Sequence, residues 1–381
     1  MLIPVMGFPM TALKVFFADR QARSDYNMLD KLEHVFRELG LMKEIKAGDK
    51  VMIKTHFGLY GNTNHIRPAY VRKLVDLVKE AGGSPFVADT CSLAYGNEGP
   101  YGGRTTQPEY LMRAAMNGYT AGALGAPIVI IDGYWGVDTY HVTIDGEHIQ
   151  SVPVAAATLN CDKVILLTHA KFHHIGIAGS LKNMGVGMVG KQGKAAIHCP
   201  GGLEIYPEKC LGVECSKCVS VCPVRCIEVT DVLTVNTDKC VTCGHCSSVC
   251  STVNAGALKM PWSGKNMAER IVENTLGVTK SIGSDKFYYI NLAIDISDMC
   301  DCVRVGAPLM MHDLGIFGST DPVAVDHATL EAMKKATLNP ASPKHDDFGR
   351  LVEASEAFFI HGEKLGLGSI EYEIVTLTKD K

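Results

Sequence analysis

Nothing in this 381-residue chain approaches the run of roughly 18 apolar residues that a membrane-spanning helix needs, so a helical integral membrane protein is excluded. A basic stripe is also missing. Lys and Arg number 37 against 41 Asp and Glu, for a net charge of −4, and the positive residues are spread along the chain. That distribution argues against nucleic acid as a partner, because phosphate backbones select clustered Lys and Arg. There is no low-complexity linker and no long repeat beyond two short cysteine runs. The opening residues, Met1-Leu-Ile-Pro-Val-Met-Gly7, are apolar, have no basic segment and include Pro4; they read as a chain start rather than a secretory signal. Charged residues at 20% and a hydrophobic set of 46% are ordinary for a globular protein.

What the chain does have is cysteine. Fourteen are present, and eight fall in two short runs instead of being spread as a disulfide framework would be. Metal binding in a reducing compartment, hence a cytoplasmic protein, is the consistent reading. The second run, Cys240-x2-Cys243-x2-Cys246-x3-Cys250, has the bacterial ferredoxin spacing. Three thiolates on one tight loop reach three corners of a single cubane, and the fourth points away to serve another. The first run, Cys210-x4-Cys215-x2-Cys218-x3-Cys222-Pro223, has the same ending with two extra residues in its first gap.

Between the runs, Ile227 to Val235 reads as a hairpin that packs the two halves together. Two [4Fe–4S] clusters with crossed ligation follow. Cys210, Cys215, Cys218 and Cys250 hold the first, and Cys240, Cys243, Cys246 and Cys222 hold the second. Zinc is the alternative, but it takes four ligands in two pairs and such a run oversupplies one loop. Cys226, Cys91, Cys161 and Cys199 read as packing residues. Ser251 stands where a second proline is common, and with the widened gap it alters the surroundings that tune potential.

Either side of the runs, strand and helix patterns alternate. Ala12–Ala18, Val51–Thr55, Phe86–Ala88, Ile128–Ile131, Lys163–Thr168, Tyr288–Ile294 and Tyr372–Leu377 read as strands. Helices are expected over 27–40, 68–80, 108–117, 265–277, 322–336 and 347–364. This implies βαβ units and a largely parallel sheet. The fold class is therefore α/β: a discontinuous domain, 1–202 and 263–381, with a ferredoxin-like domain carrying both clusters inserted at 203–262.

Two strand ends carry Lys and His together. Lys54-Thr-His56 follows one apolar strand, and His169-Ala-Lys171, within Thr168-His-Ala-Lys-Phe-His-His174, follows another. Ligands in open α/β sheets bind beyond the carboxyl ends of strands, so the two segments should meet at one cleft. Gly185-Val-Gly-Met-Val-Gly190 matches G-x-G-x-x-G, but it does not directly follow a strand, and Gln192 stands where a P-loop needs Ser or Thr. A glycine-rich loop beside Lys182, Lys191 and Lys194 could still hold an anion. No flavin motif stands out, although a flavin or other organic cofactor is compatible with the chain. Cys300-Asp-Cys302 reads either as packing or as a redox or ligand pair.

Several short motifs occur in order: Val51-Met-Ile-Lys-Thr-His-Phe-Gly58, Arg67-Pro68, Pro85-Phe-Val-Ala-Asp-Thr90, Gly179-Ser-Leu-Lys-Asn-Met-Gly-Val-Gly187, Cys300-Asp-Cys302 and Ser319-Thr-Asp-Pro-Val-Ala-Val-Asp326. With the inserted cysteine module they resemble the iron–sulfur centre proteins of the domain of unknown function 362 family, over nearly the whole chain. The resemblance implies an α/β domain similar to the first domain of nickel-dependent lactate racemases, and site positions at Lys54, His56, Lys182 and Asn183. The expected function is an oxidoreductase that passes low-potential electrons from the clusters to an anionic substrate or cofactor. Lys54, His56, His169, Lys171, Lys182 and Asn183 are the candidate catalytic and binding residues. An electron donor or acceptor protein is the expected partner. The rivals are a non-catalytic electron carrier or adaptor, which needs no small-molecule pocket, and a redox sensor.

Overall fold

The computed structural model describes residues 13–93, 103–342 and 345–379; the chain start and Ala12 lie outside them. Eight strands form the central sheet: β1 (Lys14–Asp19), β2 (Lys50–Lys54), β3 (Ser84–Asp89), β4 (Ile128–Ile130), β5 (Lys163–His169), β6 (Phe287–Ala293), β7 (Gly315–Ser319) and β8 (Glu373–Thr376). Their order across the sheet is β8-β1-β7-β6-β5-β2-β3-β4. Strand β7 runs antiparallel to both its neighbours, and every other pairing is parallel. The expected α/β class and largely parallel sheet are therefore present, with one reversed strand that the sequence pattern did not announce.

Burial on both faces explains the near-continuous apolar strands. Val164, Ile165, Leu166 and Leu167 of β5 are all fully buried, and alternate residues feed two separate cores, Val164 and Leu166 on one face, Ile165 and Leu167 on the other. Helices Met28–Glu38 and Pro68–Glu80 cover the second face. Asn27 caps the first of these with a reciprocal capping box to Asp30, and Pro68 opens the second at its first turn. The opposite face takes helices Ser180–Gly187, Met267–Ile282, Pro322–Lys335 and Phe348–Lys364.

The cysteine-rich segment interrupts this plan after helix Lys191–His198. It leaves and rejoins through a two-stranded stem in which Glu204 pairs with Lys259 and Ile205 with Leu258. Inside it, Ile227–Val229 and Leu233–Val235 form the expected hairpin. A small core of its own gathers Cys226, Ile227, Leu233, Cys246, Cys250, Ala257 and Leu258. Among the described residues no helix is long and apolar enough to cross a membrane.

Candidate functional site

Strands β2 and β5 are neighbours and run parallel, with Lys54 opposite Leu166, so their carboxyl ends reach the same edge of the sheet. A cavity of about 350 Å³ opens there. Of the six candidate catalytic and binding residues, Lys54, His56, His169, Lys182 and Asn183 line it, while Lys171 does not.

The polar floor is wired together. The Lys54 Nζ donates to Asn183 Oδ1 at 2.7 Å and pairs with Asp89 Oδ1 at 2.9 Å, and the Tyr110 hydroxyl donates to the other oxygen of Asp89. Burial depresses the Lys54 pKa against the opposing pull of Asp89. A side chain at Gly187 would run into the Lys54 ammonium, so glycine is required there for space. Helix Ser180–Gly187 presents Lys182 and Asn183 because its first amides donate to Asp326, from Ser180 at 2.6 Å and Leu181 at 2.9 Å. A carboxylate at a helix start satisfies otherwise orphaned donors.

His56 is held by the Gly58 amide, which donates to its Nδ1 at 2.8 Å. Burial, then the Arg104 charge, pushes its pKa down to about 3, so the ring is neutral. With Nδ1 accepting, the ring proton sits on Nε2, which faces the Arg104 Nη1 at 2.7 Å. Two donors then face each other, an arrangement that a bound oxyanion accepting from both would relieve. His56 offers a hydrogen bond here rather than an imidazolium proton.

The second strand end fastens a loop. Asp301 Oδ2 lies 2.8 Å from His169 Nδ1, and Asp301 Oδ1 lies 3.0 Å from Lys171 Nζ. His169 Nε2 faces the Ile294 carbonyl at 2.7 Å, and Lys171 also donates to the Asn64 carbonyl at 2.7 Å. Burial alone would raise the Asp301 pKa, but His169 and Lys171 hold it well below the usual carboxylate range. His169 and Lys171 are therefore positioning residues that clamp Asp301, not free cations awaiting a substrate.

The clamp sets Cys300 and Cys302 at the cavity wall. Lys182 Nζ lies 3.6 Å from Cys300 Sγ and 3.9 Å from Cys302 Sγ. A hydrogen bond from Cys300, together with the Lys182 and Arg104 charges, brings the Cys302 thiol down to about 5, while that hydrogen bond and burial push Cys300 up. Burial works against Lys182, and the two sulfurs more than offset it and raise its pKa.

The far wall comes from the elements flanking the module. Trp262 stacks on His198 with centroids 4.4 Å apart. Lys194 donates to Thr90 Oγ1 at 2.9 Å and lies 3.9 Å from Asp132. Burial lowers its pKa to about 8. The cavity therefore loses one positive charge as pH rises through about 8. Sulfate affinity, measured by titration calorimetry, is expected to fall about tenfold between pH 7 and 9 in the wild type and to stay flat in Lys194→Met. A flat wild-type profile would show that Lys194 makes no contribution to anion binding.

In the module the eight cysteines of the two runs divide between two hollows. Cys210, Cys215, Cys218 and Cys250 line one; Cys222, Cys240, Cys243 and Cys246 line the other, with Cys226 beside them. The Cys226 Sγ is 3.5 Å from that of Cys222. Each hollow draws three cysteines from one run and the last from the other, a donor set that suits a cubane cluster. The second hollow faces the α/β domain: His245, next to Cys246, meets Lys191 Nζ at 2.5 Å and packs edge-on against Trp135. Lys191 thus points at the module, not into the cavity.

The glycine-rich segment is not a phosphate loop. Gly185 and Gly187 lie inside helix Ser180–Gly187, whose amides serve that helix and Asp326, and a side chain at Gly185 would strike the Ile271 carbonyl of the neighbouring helix. Arg104, Asp301, His173 and His198 were not among the candidate residues, though His173 stands in the His-rich strand end and Asp301 between two noted cysteines. No local pattern marks Arg104 or His198.

The class defined is an open α/β protein with a cavity at its strand ends, lined by lysines and an arginine, and an inserted ferredoxin-like module. Residues 51–331 match the family Domain of unknown function (DUF362), and the chain belongs to that family. A stretch of 47 residues is similar to Ferredoxin 7Fe of Hydrogenibacillus schlegelii, at 43% identity, covering 12% of this chain and 60% of that one. The chain is also 40% identical over 53 residues to an uncharacterised ferredoxin of Methanocaldococcus jannaschii, 13% of this chain and 81% of that one. This chain thus spans 60% of the length of the first of these relatives. The lactate racemase apoprotein from Thermoanaerobacterium thermosaccharolyticum overlays with a TM-score of 0.38 and 9% identity, over 82% of this chain and 55% of that one.

Proposed function

We propose that this protein is an iron–sulfur oxidoreductase that delivers electrons to a small anion bound at the strand-end cavity. The inserted module, bounded near residues 203 and 262, would hold one [4Fe–4S] cluster on Cys210, Cys215, Cys218 and Cys250 and another on Cys222, Cys240, Cys243 and Cys246. Such clusters supply single electrons at low potential. Likeness to ferredoxins supports this use of the module. The observation that carries the catalytic reading is the cavity itself, with Lys54, Lys182, Lys194 and Arg104 around one space that contacts the module through Trp262.

The chain's own residues have distinct tasks. Lys182 and Arg104 bind negative charge and stabilise more of it as the ligand is reduced, the logic of a preorganised oxyanion site. The His56 N–H fixes the ligand's orientation. Lys194, with its pKa near 8, is able to give up a proton at physiological pH. Leu211, Val213 and Val219 are exposed around the first cysteine run, apolar side chains suited to a docking electron-partner protein.

The test is anaerobic reconstitution to about eight irons and eight sulfides per chain, followed by dithionite reduction. A panel of small organic anions is then mixed with the reduced protein, and recovery of cluster absorbance is followed. At least one anion is expected to reoxidise the wild type, and Lys182→Ala should lose that reaction while its reduced spectrum is unchanged. Equal rates in both proteins with every anion would instead promote the electron-carrier reading.

A further inference from the structure

We propose that His173, Cys300 and Cys302 form a third metal site, separate from the cysteine module, which binds one thiolate-preferring divalent transition ion of the zinc type and keeps a fourth coordination position open to the cavity. The inference rests on the cavity being the ligand site and deepens that reading by naming what holds the ligand's oxygen.

The ligand atoms of these three residues all lie within 4.8 Å of one another. Zinc–sulfur bonds of about 2.3 Å and zinc–nitrogen bonds of about 2.0–2.1 Å bring tetrahedral ligands to roughly 3.3–3.8 Å apart. Closure by about 1 Å, within the reach of side-chain torsions, completes the site. Two sulfurs and one imidazole with a free fourth position is the donor set of a catalytic zinc centre, whereas four protein ligands would mark a structural one. Two thiolates also select late transition ions over magnesium or calcium.

Three independent features point to an ion at this spot. Among the described residues, the Nδ1 of His173 is buried without a hydrogen-bond partner, in a residue only 7% exposed. A buried ring nitrogen left unpaired costs free energy that an ion shared with the sulfurs would remove. The thiol-bearing loop is not loose: Asp301 between the two cysteines is clamped by His169 and Lys171, and His173 stands on the short strand that begins at Lys171. The ligands are therefore preset by buried ion pairs, as metal sites generally require. Finally, a cation already stands beside both sulfurs, since Lys182 Nζ lies 3.6 and 3.9 Å from them. The pair is built to carry negative charge in a buried place.

All three ligands line the cavity, so the open position faces it. An ion there would act as a Lewis acid on a carboxylate or carbonyl oxygen, while Arg104 and Lys182 take the remaining charge. The ligand class becomes a small molecule with an oxygen donor beside an anionic group.

The test uses the full chain with both clusters assembled anaerobically. Loosely held ions are removed with a weak chelator, Zn²⁺ is added, and free metal is removed by desalting. The wild type is expected to retain one zinc per chain above an unchanged iron and sulfide content. X-ray absorption at the zinc edge should show two sulfurs and at least one nitrogen or oxygen neighbour. Cys300→Ser with Cys302→Ser should weaken zinc binding by roughly a hundredfold or more at the same iron content. His173→Gln, a milder change, should leave both sulfurs and remove the imidazole from the absorption spectrum. No zinc on the wild type, equal zinc on the double variant, or a four-sulfur shell would each overturn the site. Retention is read without turnover, so a protein that holds no zinc yet reduces a bound anion loses this proposal and keeps the function proposed above.

Discussion

Cys250→Ala is expected to destroy the iron–sulfur centre of the first cysteine run, although Cys250 belongs to the second. The reason is the partition of the two hollows, in which Cys250 joins Cys210, Cys215 and Cys218. Iron should drop from about eight to about four atoms per chain, since each cubane carries four irons. A double replacement identifies which centre was lost. Cys210→Ala with Cys250→Ala should lose no more iron than either change alone, whereas Cys240→Ala with Cys250→Ala should lose all of it. The reverse pattern would mean that each run serves its own cluster. Cys222→Ala needs more care, because Cys226 lies 3.5 Å away and could take its place as a ligand. The clean experiment makes that change in a Cys226→Ala background, which by itself should keep both clusters.

Asp301→Ala is expected to cost about 3–5 kcal/mol of stability, the usual result of removing one partner from a buried ion pair. Here the loss strands Lys171, which is fully buried, and unpins His169. A change of that size is a large share of the 5–15 kcal/mol that holds a typical domain. Because the Asp301 pKa is depressed by folding, its contribution is present above the unfolded carboxyl pKa of about 3.9 and disappears only as pH falls below that value. Denaturation midpoints of wild type and variant should therefore differ at pH 7 and converge toward strongly acid conditions. A difference that persists unchanged below pH 3 would show that Asp301 acts by packing and not by charge. Lys171→Met should reproduce part of the loss, and in both variants the Cys300–Cys302 loop should become more susceptible to alkylation.

The sheet was legible because buried parallel strands are short and apolar, as β2 and β5 show. Strand β7 was not. Its sequence Gly-Ile-Phe-Gly-Ser carries two glycines, which lower strand propensity, and the reason for one is visible only in three dimensions: a side chain at Gly318 would strike Val35 of the helix packed above. The strand-end site was legible as a location, since Lys54 and His169 mark carboxyl ends that the parallel order must bring together. The roles were not. A lysine reads the same whether it lines a cavity, as Lys182 does, or pairs with a carboxylate far along the chain, as Lys171 does with Asp301. Arg104 escaped notice because its meaning comes from His56, distant in sequence and 2.7 Å away in space.

The stem formed by Glu204–Ile205 and Leu258–Lys259 gives the larger domain a particular kind of freedom. Paired antiparallel strands hold the departing and returning backbones about 5 Å apart, the distance spanned by an ordinary tight turn. A short loop in place of the module is therefore expected to leave the sheet able to fold, because closing a longer loop across the same gap adds entropy only logarithmically with length. The cysteine-rich module is thus joined to the α/β body in the manner of a plug in a socket. A lineage could gain or shed the plug without rewiring any of the eight strands, and the residues at the socket's rim, His198 and Trp262, are where the gain or loss would first be felt in the cavity.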